Sequence, residues 1–295
     1  MFALIGIALV IGAIMAGYLM EHGQLLVLLQ PAELIIILGA SIGTILIANP
    51  IPVVLRLLKD ILAVFKGDTR NKAFYLENLK MLNELFGYAR KNGLPKLEAD
   101  VDEPAKSPIF SKYPKFLKNH HAVHFICDTL RMFISGGVDP FELDQMMELD
   151  MDVHHAEAQE PVNALSTAAD ALPGLGIVAA VLGVVITMGA LGGPPEEIGR
   201  KVAAALVGTF LGILLCYGFF GPIAARMGRI NESEAQFYHV VRVGVLAFIR
   251  GSAPILAVEY SRRAIPSSVR PTFSELEATC RRTAGAAAAE PAVAA

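Results

Sequence analysis

The sequence predicts an all-α integral membrane protein with four transmembrane helices, a large helical cytoplasmic loop between the second and third, and a helical cytoplasmic tail at the C-terminus. Three observations carry this expectation. Of 295 residues, 54% are hydrophobic and only 18% charged, an apolar excess that a soluble domain of this size could not hide. The apolar residues gather into four runs free of Asp, Glu, Lys and Arg: Phe2–Met20, Leu34–Ala48, Leu172–Leu191 and Val202–Ala224. Charge is confined between and after them, since no Lys or Arg precedes Arg56 whereas Lys66–Lys118 is dense in both signs.

About 20 apolar residues at 1.5 Å each cross a ~30 Å hydrocarbon core. The first run has neither a basic n-region nor a small-residue cleavage site and reads as a retained anchor. The second is short, but Ile51–Leu55 resumes beyond Asn49-Pro50, so a kinked helix is expected to complete the crossing. Segments 1–55, 56–170, 171–224 and 225–295 then divide the chain into helix pair, cytoplasmic domain, helix pair and tail. Arg56, Lys59, Lys66 and Arg70 follow the second run, and Arg226, Arg229 and Arg242 follow the fourth, whereas Glu21–Glu33 holds no Lys or Arg. The positive-inside rule places both termini in the cytoplasm and the short turns, Glu21–Glu33 and Gly192–Lys201, outside. Glu196, Glu197, Arg200 and Lys201 make the second turn a mild exception.

The loop is too long to be structureless. Phe74, Leu82, Leu85 and Phe86 form one apolar face at helical spacing, and Phe125, Ile126, Leu130 and Phe133 another. Asp139, Pro140 and Glu142 read as N-cap, N1 and N3 of a helix, and Thr272 with Glu275 as a capping box. The Ala-rich end is expected to be disordered from about residue 284.

Inside the four runs the polar side chains include Ser41, Thr44, Thr187, Thr209 and Tyr217, with no carboxylate, Lys, Arg or His. A proton or cation relay through lipid normally needs an ionisable group, which costs ~3 kcal/mol or more at mid-membrane. Either the chain conducts nothing or a partner's helix supplies the carboxylate. Gly39-xxx-Gly43, Gly176-xxx-Ala180 with Gly183, and Gly208-xxx-Gly212 let helix backbones approach, within one bundle or between copies; several together favour an oligomer. Pro173, expected at the start of the third span, and Pro222, near the end of the fourth, share a cytoplasmic depth and suggest a hinge.

His120, His124 and Cys127 at i, i+4 and i+7 offer three ligands where a closed zinc site wants four, so a surface helix is the favoured reading. His154-His155, in an acidic stretch, reads as a solvated helix face. Three scattered cysteines, Cys127, Cys216 and Cys280, imply reduced thiols. No nucleotide-binding, zincin or serine-hydrolase motif occurs, and a net charge of −3 without a basic stripe sets nucleic acid aside. No enzyme activity, metal or cofactor is expected.

The segments QPAELIIILGASIG (Gln30–Gly43), DALPGLGIVAAVLGVV (Asp170–Val185) and VGTFLGILLCYGFFGP (Val207–Pro222) closely resemble the MotA family of flagellar motor stator subunits, as do IFSKYP (Ile109–Pro114) and RPTFSELE (Arg270–Glu277). The likeness covers nearly the whole chain; the Ala-rich tail and Cys216 depart from it. The resemblance implies a bacterial inner-membrane protein, about five copies of which surround two copies of MotB, whose helix brings the ion-carrying Asp. It implies that Arg90 and Glu98 engage the rotor protein FliG, that Pro173 and Pro222 couple conformational change, and that Thr209, Tyr217 and Ala180 line the ion path. Asp150 falls at an acidic position of the family, and the AAVLGVV segment looks like that of proton-driven members. Three rivals remain: an energiser of the TolQ and ExbB type, with three spans; a passive membrane scaffold; and an intramembrane enzyme, weakened by the absence of a catalytic ionisable residue within the spans.

Overall fold

The computed structural model describes residues 2–189 and 192–288. Among them every regular element is helical, and four helices are long and apolar enough to cross a membrane. The first, α1 (Phe2–Met20), stops where His22 turns left-handed at φ 59° and the Gly23 N–H donates back to Tyr18 O at 2.9 Å, closing the helix end. A short α2 (Leu25–Leu28) leads to α3 (Pro31–Ala48).

Here the sequence expectation needs correction. The second span does not continue through a kink into Ile51–Leu55: Asn49 (φ −129°, ψ 144°) and Pro50 (φ −68°, ψ 151°) are extended, and a separate α4 (Ile51–Lys66) follows. Proline fixes its own φ and drives the preceding residue out of the helical region, so the helix ends there. The missing length comes from the other end, because α3 starts at Pro31 and its 18 residues reach about 27 Å. α4 is amphipathic, burying Val53, Leu57 and Val64 while Leu55, Leu58 and Leu62 stay exposed.

The remaining helices are α5 (Lys72–Asn92), α6 (Leu94–Asp102), α7 (Pro114–Leu117), α8 (His120–Ser135), α9 (Pro140–Met188), α10 (Pro195–Leu214), α11 (Gly221–Ile249), α12 (Pro254–Ala264) and α13 (Phe273–Ala288). α10 passes into α11 through a π-helical turn, Leu215–Phe220. Glu196, Glu197, Arg200 and Lys201 lie on the first turns of α10 rather than in a connecting turn, with Lys201 on Glu197 at 3.1 Å. The expected end of the third run, Ala190–Leu191, lies outside the described residues. α13 continues past residue 284 to Ala288, and the rest of the Ala-rich end lies outside the described residues.

The chain divides into two compact units, Met1–Gly67 with Glu157–Asn231, and Asp68–Ala156 with Glu232–Ala295, so α9 and α11 each contribute to both. In the first unit α10 packs on α3, and α1 on α4 and the π-helical turn. Its core has two parts, Val53, Leu57, Leu165 and Met227 in one and Ile37, Leu172, Ala179 and Cys216 in the other. The Asn231 side-chain amide donates to Ala158 O at 2.6 Å, tying α11 to α9.

The second unit has one large core. Leu82, Leu85 and Phe86 of α5 and Phe125, Ile126 and Leu130 of α8 are buried, as their spacing predicts, with Phe74 and Phe133 packed partly against them. Asn71 and Asn119 accept from the N–H groups of Phe74 and Ala122, at 3.0 and 3.2 Å, and cap α5 and α8. Asp139 Oδ1 accepts from the Phe141 N–H at 2.7 Å at the start of α9, and Thr272 exchanges hydrogen bonds with Glu275 as a capping box. The IFSKYP segment is held by Tyr113, whose hydroxyl donates to Glu84 at 2.8 Å; burial, aided by that carboxylate, pushes the phenol well above its usual range.

Arg262 and Arg263 close on Glu259 at 2.7 and 2.9 Å, and the Arg262 hydrogen bonds hold that carboxyl down at about 2. A carboxyl lowered on folding stabilises the fold above its ordinary 4.5 and loses that contribution as pH falls through the folded value. The thermal midpoint of the purified protein is therefore expected to drop as pH falls from about 5 to about 2, and Glu259→Gln to start lower and drop less. Equal acid sensitivity of the two proteins, measured by circular dichroism, would remove the Glu259 cluster from the account.

Candidate functional site

The small residues of the third and fourth spans make a seam in which helix backbones touch. A Cβ built on Gly212 would stand 2.6 Å from Leu172 O and 2.9 Å from Gly176 Cα, and one on Gly176 would stand 2.8 Å from Gly208 O. Gly183 faces Ala205 in the same way, at 2.7 Å from its Cβ, and Gly208 faces Ala179 and Ala180. The glycines of these two motifs are thus consumed inside one chain. Gly39 and Gly43 meet nothing within 4 Å, which leaves their motif alone facing outward.

The seam fixes where the sequence-predicted path residues stand. A Cβ on Gly208 would stand 3.2 Å from the Ala180 amide nitrogen, so Ala180 and Thr209, the residue after Gly208, share one level; both are half-buried. Tyr217 lies about two turns further on, in the π-helical turn, and is 73% exposed. Val202, Leu206, Ile213 and Tyr217 are exposed at helical spacing with Thr209 among them, a stripe that is apolar except for two hydroxyls and carries no charge. Such a surface suits an apolar partner helix.

The two prolines act differently. Pro173 is not at a helix start, as expected from sequence, but well inside the continuous α9 beside Leu172 of the seam. Asp170 and the residues before it simply carry the helix on, because Pro173 costs one backbone hydrogen bond and neighbouring helices support the turn. Pro222 follows the π-helical turn, where the Gly221 N–H donates to Cys216 O, five residues back. The widened turn absorbs the donor that Pro222 lacks.

One residue escapes the sequence reading. The apolar pattern sets Glu33 in an outer turn, yet it is the third residue of α3, only 7% exposed, with its carboxyl against the seam. Cβ atoms on Gly208 and Gly183 would stand 2.8 Å from its Oε2 and 3.6 Å from its Oε1. Among the described residues Oε2 has no hydrogen-bond partner, and neither has the hydroxyl of Ser41, two turns along the same face. The signal in the sequence is the register Glu33, Ile37, Ser41 at i, i+4, i+8, behind a Pro31 at N1.

In the second unit Arg90, Glu98 and Asp150 are all exposed and make no ion pair among the described residues. Gly93, at φ 86°, ends α5 between Arg90 and Glu98. His120 and His124 are exposed whereas Cys127 is buried, its thiol pushed up to about 12 by burial, so the three do not converge. His154 is half-buried rather than on an open solvated face: its ring stacks on His121 at 3.9 Å and meets the edge of Tyr238 at 5.0 Å.

A family model described as Motility protein A N-terminal matches residues 4–93, and one described as the MotA/TolQ/ExbB proton channel family matches residues 117–239. Motility protein A of Escherichia coli (strain K12) is 40% identical over 277 residues, 94% of each chain. This chain belongs to the Motility protein A family. Chemotaxis protein LafT of Vibrio parahaemolyticus is 35% identical over 92% of this chain and 96% of its own. The flagellar MotAB stator complex from Bacillus subtilis aligns at TM-score 0.71 and 25% identity, covering 90% of this chain and 96% of that one. The structure of C. jejuni MotAB shares the fold at TM-score 0.74 and 18% identity, over 92% of this chain and 98% of that one. Membership makes this a flagellar stator subunit of the proton-channel type; an energiser of the TolQ and ExbB kind is not favoured.

In this Motility protein A chain Pro222 directly follows the wide turn Leu215–Phe220 at the end of the fourth span. Pro222→Ala restores the missing donor and should let Leu215–Phe220 tighten to α geometry, lowering motility while membrane accumulation is kept. Unchanged swimming at every load would leave Pro222 as helix punctuation.

Proposed function

We propose that about five copies of this chain surround two copies of a MotB-type partner, whose Asp carries protons along the α10 stripe, and that the ion flow turns a FliG-type rotor. The observation that carries this reading is the stripe itself: half-buried Thr209 amid exposed and largely apolar residues, with no charged side chain of its own. A path lined this way needs a carboxylate from elsewhere, and the B. subtilis structure is of a complex of MotA with MotB by its description.

Both termini are cytoplasmic in this reading, by the positive-inside distribution of Arg56, Lys59, Lys66, Arg226 and Arg229. The coupling ion is a proton. Each one crossing the membrane releases ~2.3 kcal/mol per 100 mV, comparable with the few kcal/mol between two packings of a bistable element. Thr209, Tyr217 and Ala180 line the path, Pro173 and Pro222 transmit the shift, and Arg90 and Glu98 meet the rotor through charges that the fold leaves exposed. Asp150, also exposed, is a further acidic contact. A passive scaffold would have no use for a hydroxyl at the Ala180 level of an otherwise apolar stripe.

Co-expression with the partner, followed by proton-flux measurement in vesicles, tests the reading. The complex is expected to co-purify and conduct, and Thr209→Val, which keeps shape but removes the hydroxyl, to reduce flux with the complex intact. A chain that binds no MotB-type partner, or a complex that passes no protons, would overturn it.

A further inference from the structure

We infer that Glu33 is a second proton-carrying carboxyl of the channel, contributed by this chain itself, at the outer approach to the level of Ala180 and Thr209. The inference rests on the proposed function and adds a site to it. Three independent features converge. The side chain is buried in the first unit, on a helix long and apolar enough to cross the membrane, and one carboxyl oxygen has no partner among the described residues. The wall it faces is cut to fit: Gly208, on which any side chain would collide with Oε2, and Gly183, one helix turn above the Ala179–Ala180 contact. Gly208 is joined directly to Thr209, so the carboxyl stands behind the residue that faces the path.

A carboxyl in such a place without a partner is costly, and intramembrane ionisable groups are kept where they move ions or protons. A purely structural Glu would spend both oxygens on hydrogen bonds. As the third residue of α3 it could cap the helix, yet the hydrogen bonds at that end run between backbone atoms, Leu34 N–H to Gln30 O among them. Few other charges approach it. α9 carries no titratable group from Pro173 to Met188, and its nearest polar side chain, Thr187, already donates to Gly183 O at 2.8 Å. α2 holds none, and α1 holds only Tyr18, bonded to Gln24 O. α10 brings Glu196, Glu197, Arg200 and Lys201; Lys201, bonded to Glu197, shares the helix face of Ala205 and Gly208 by i, i+4 and i+7 spacing. In the core around Ile37, Cys216 is the remaining titratable group.

The step is a simple exchange. Oε2 accepts a proton from a hydronium arriving from the outer face, releasing water, and the neutral acid then gives the proton to a water, restoring the carboxylate and forming a hydronium that carries the proton round α10 to the partner's carboxylate at the Thr209 level. Nothing is oxidised or reduced.

The test uses the complete complex with its MotB-type partner in vesicles. Glu33→Gln keeps size and polarity but cannot exchange a proton, and is expected to cut proton flux about tenfold or more; Glu33→Asp, which keeps the acid, is expected to retain measurable flux with a shifted dependence on outer pH. Flux through Glu33→Gln equal to that of the unaltered complex across the pH range would overturn the inference. So would loss of both variants from the membrane, which would make Glu33 a packing residue. The unaltered complex separates this failure from that of the proposed function, since only the latter predicts no flux there.

Discussion

Backbone contact between the third and fourth spans is the constraint on which the membrane unit depends. Lipid offers no hydrophobic drive between apolar helices, so association has to come from close packing, and the absence of side chains at Gly176, Gly208 and Gly212 lets Leu172 O and the facing Cα atoms meet. That contact consumes the small residues that might otherwise serve neighbouring copies. It also leaves the opposite face of α10 free, sets Thr209 level with Ala180, and opens the notch that holds the Glu33 carboxyl.

The second unit is organised by other forces. Its core is aromatic and aliphatic, with Phe86 stacked on Phe248 at 4.5 Å, and several of its half-buried charges are paired: Arg242 with Asp144 at 2.5 Å and Glu148 at 3.2 Å, and Arg70 with Glu234 at 2.8 Å. Arg90, Glu98 and Asp150 belong instead to the exposed charges that make no ion pair among the described residues. Charges of this kind govern partner choice and encounter rate more than folding.

Much of this is legible in the sequence because the signals are local. Four apolar runs correspond to four spanning helices, the Asp139 and Thr272 caps mark helix starts as their patterns predict, and the apolar spacing on α5 and α8 marks the core faces. Misreadings come where tertiary context decides. Asn49-Pro50 ends a helix that hydropathy alone would carry through, and Pro173, which looks like a helix start, lies inside one. Glu33 falls outside the second apolar run because a carboxylate interrupts it; only the fold shows that Gly183 and Gly208 make room for it. His121 gives no sign in sequence of stacking on His154, a contact between residues on different helices.

The seam itself can be tested with one methyl group. Gly212→Ala forces a Cβ onto Leu172 O and Gly176 Cα, backbone atoms that cannot rotate away, whereas Gly174→Ala, two residues from Gly176 on the same helix, enters open space. Overpacking of this kind costs about 1–3 kcal/mol. The thermal midpoint of the detergent-solubilised complex should fall for Gly212→Ala by several degrees and stay unchanged for Gly174→Ala. Equal midpoints for the two variants would contradict the seam, and with it the placement of Thr209, Ala180 and Glu33.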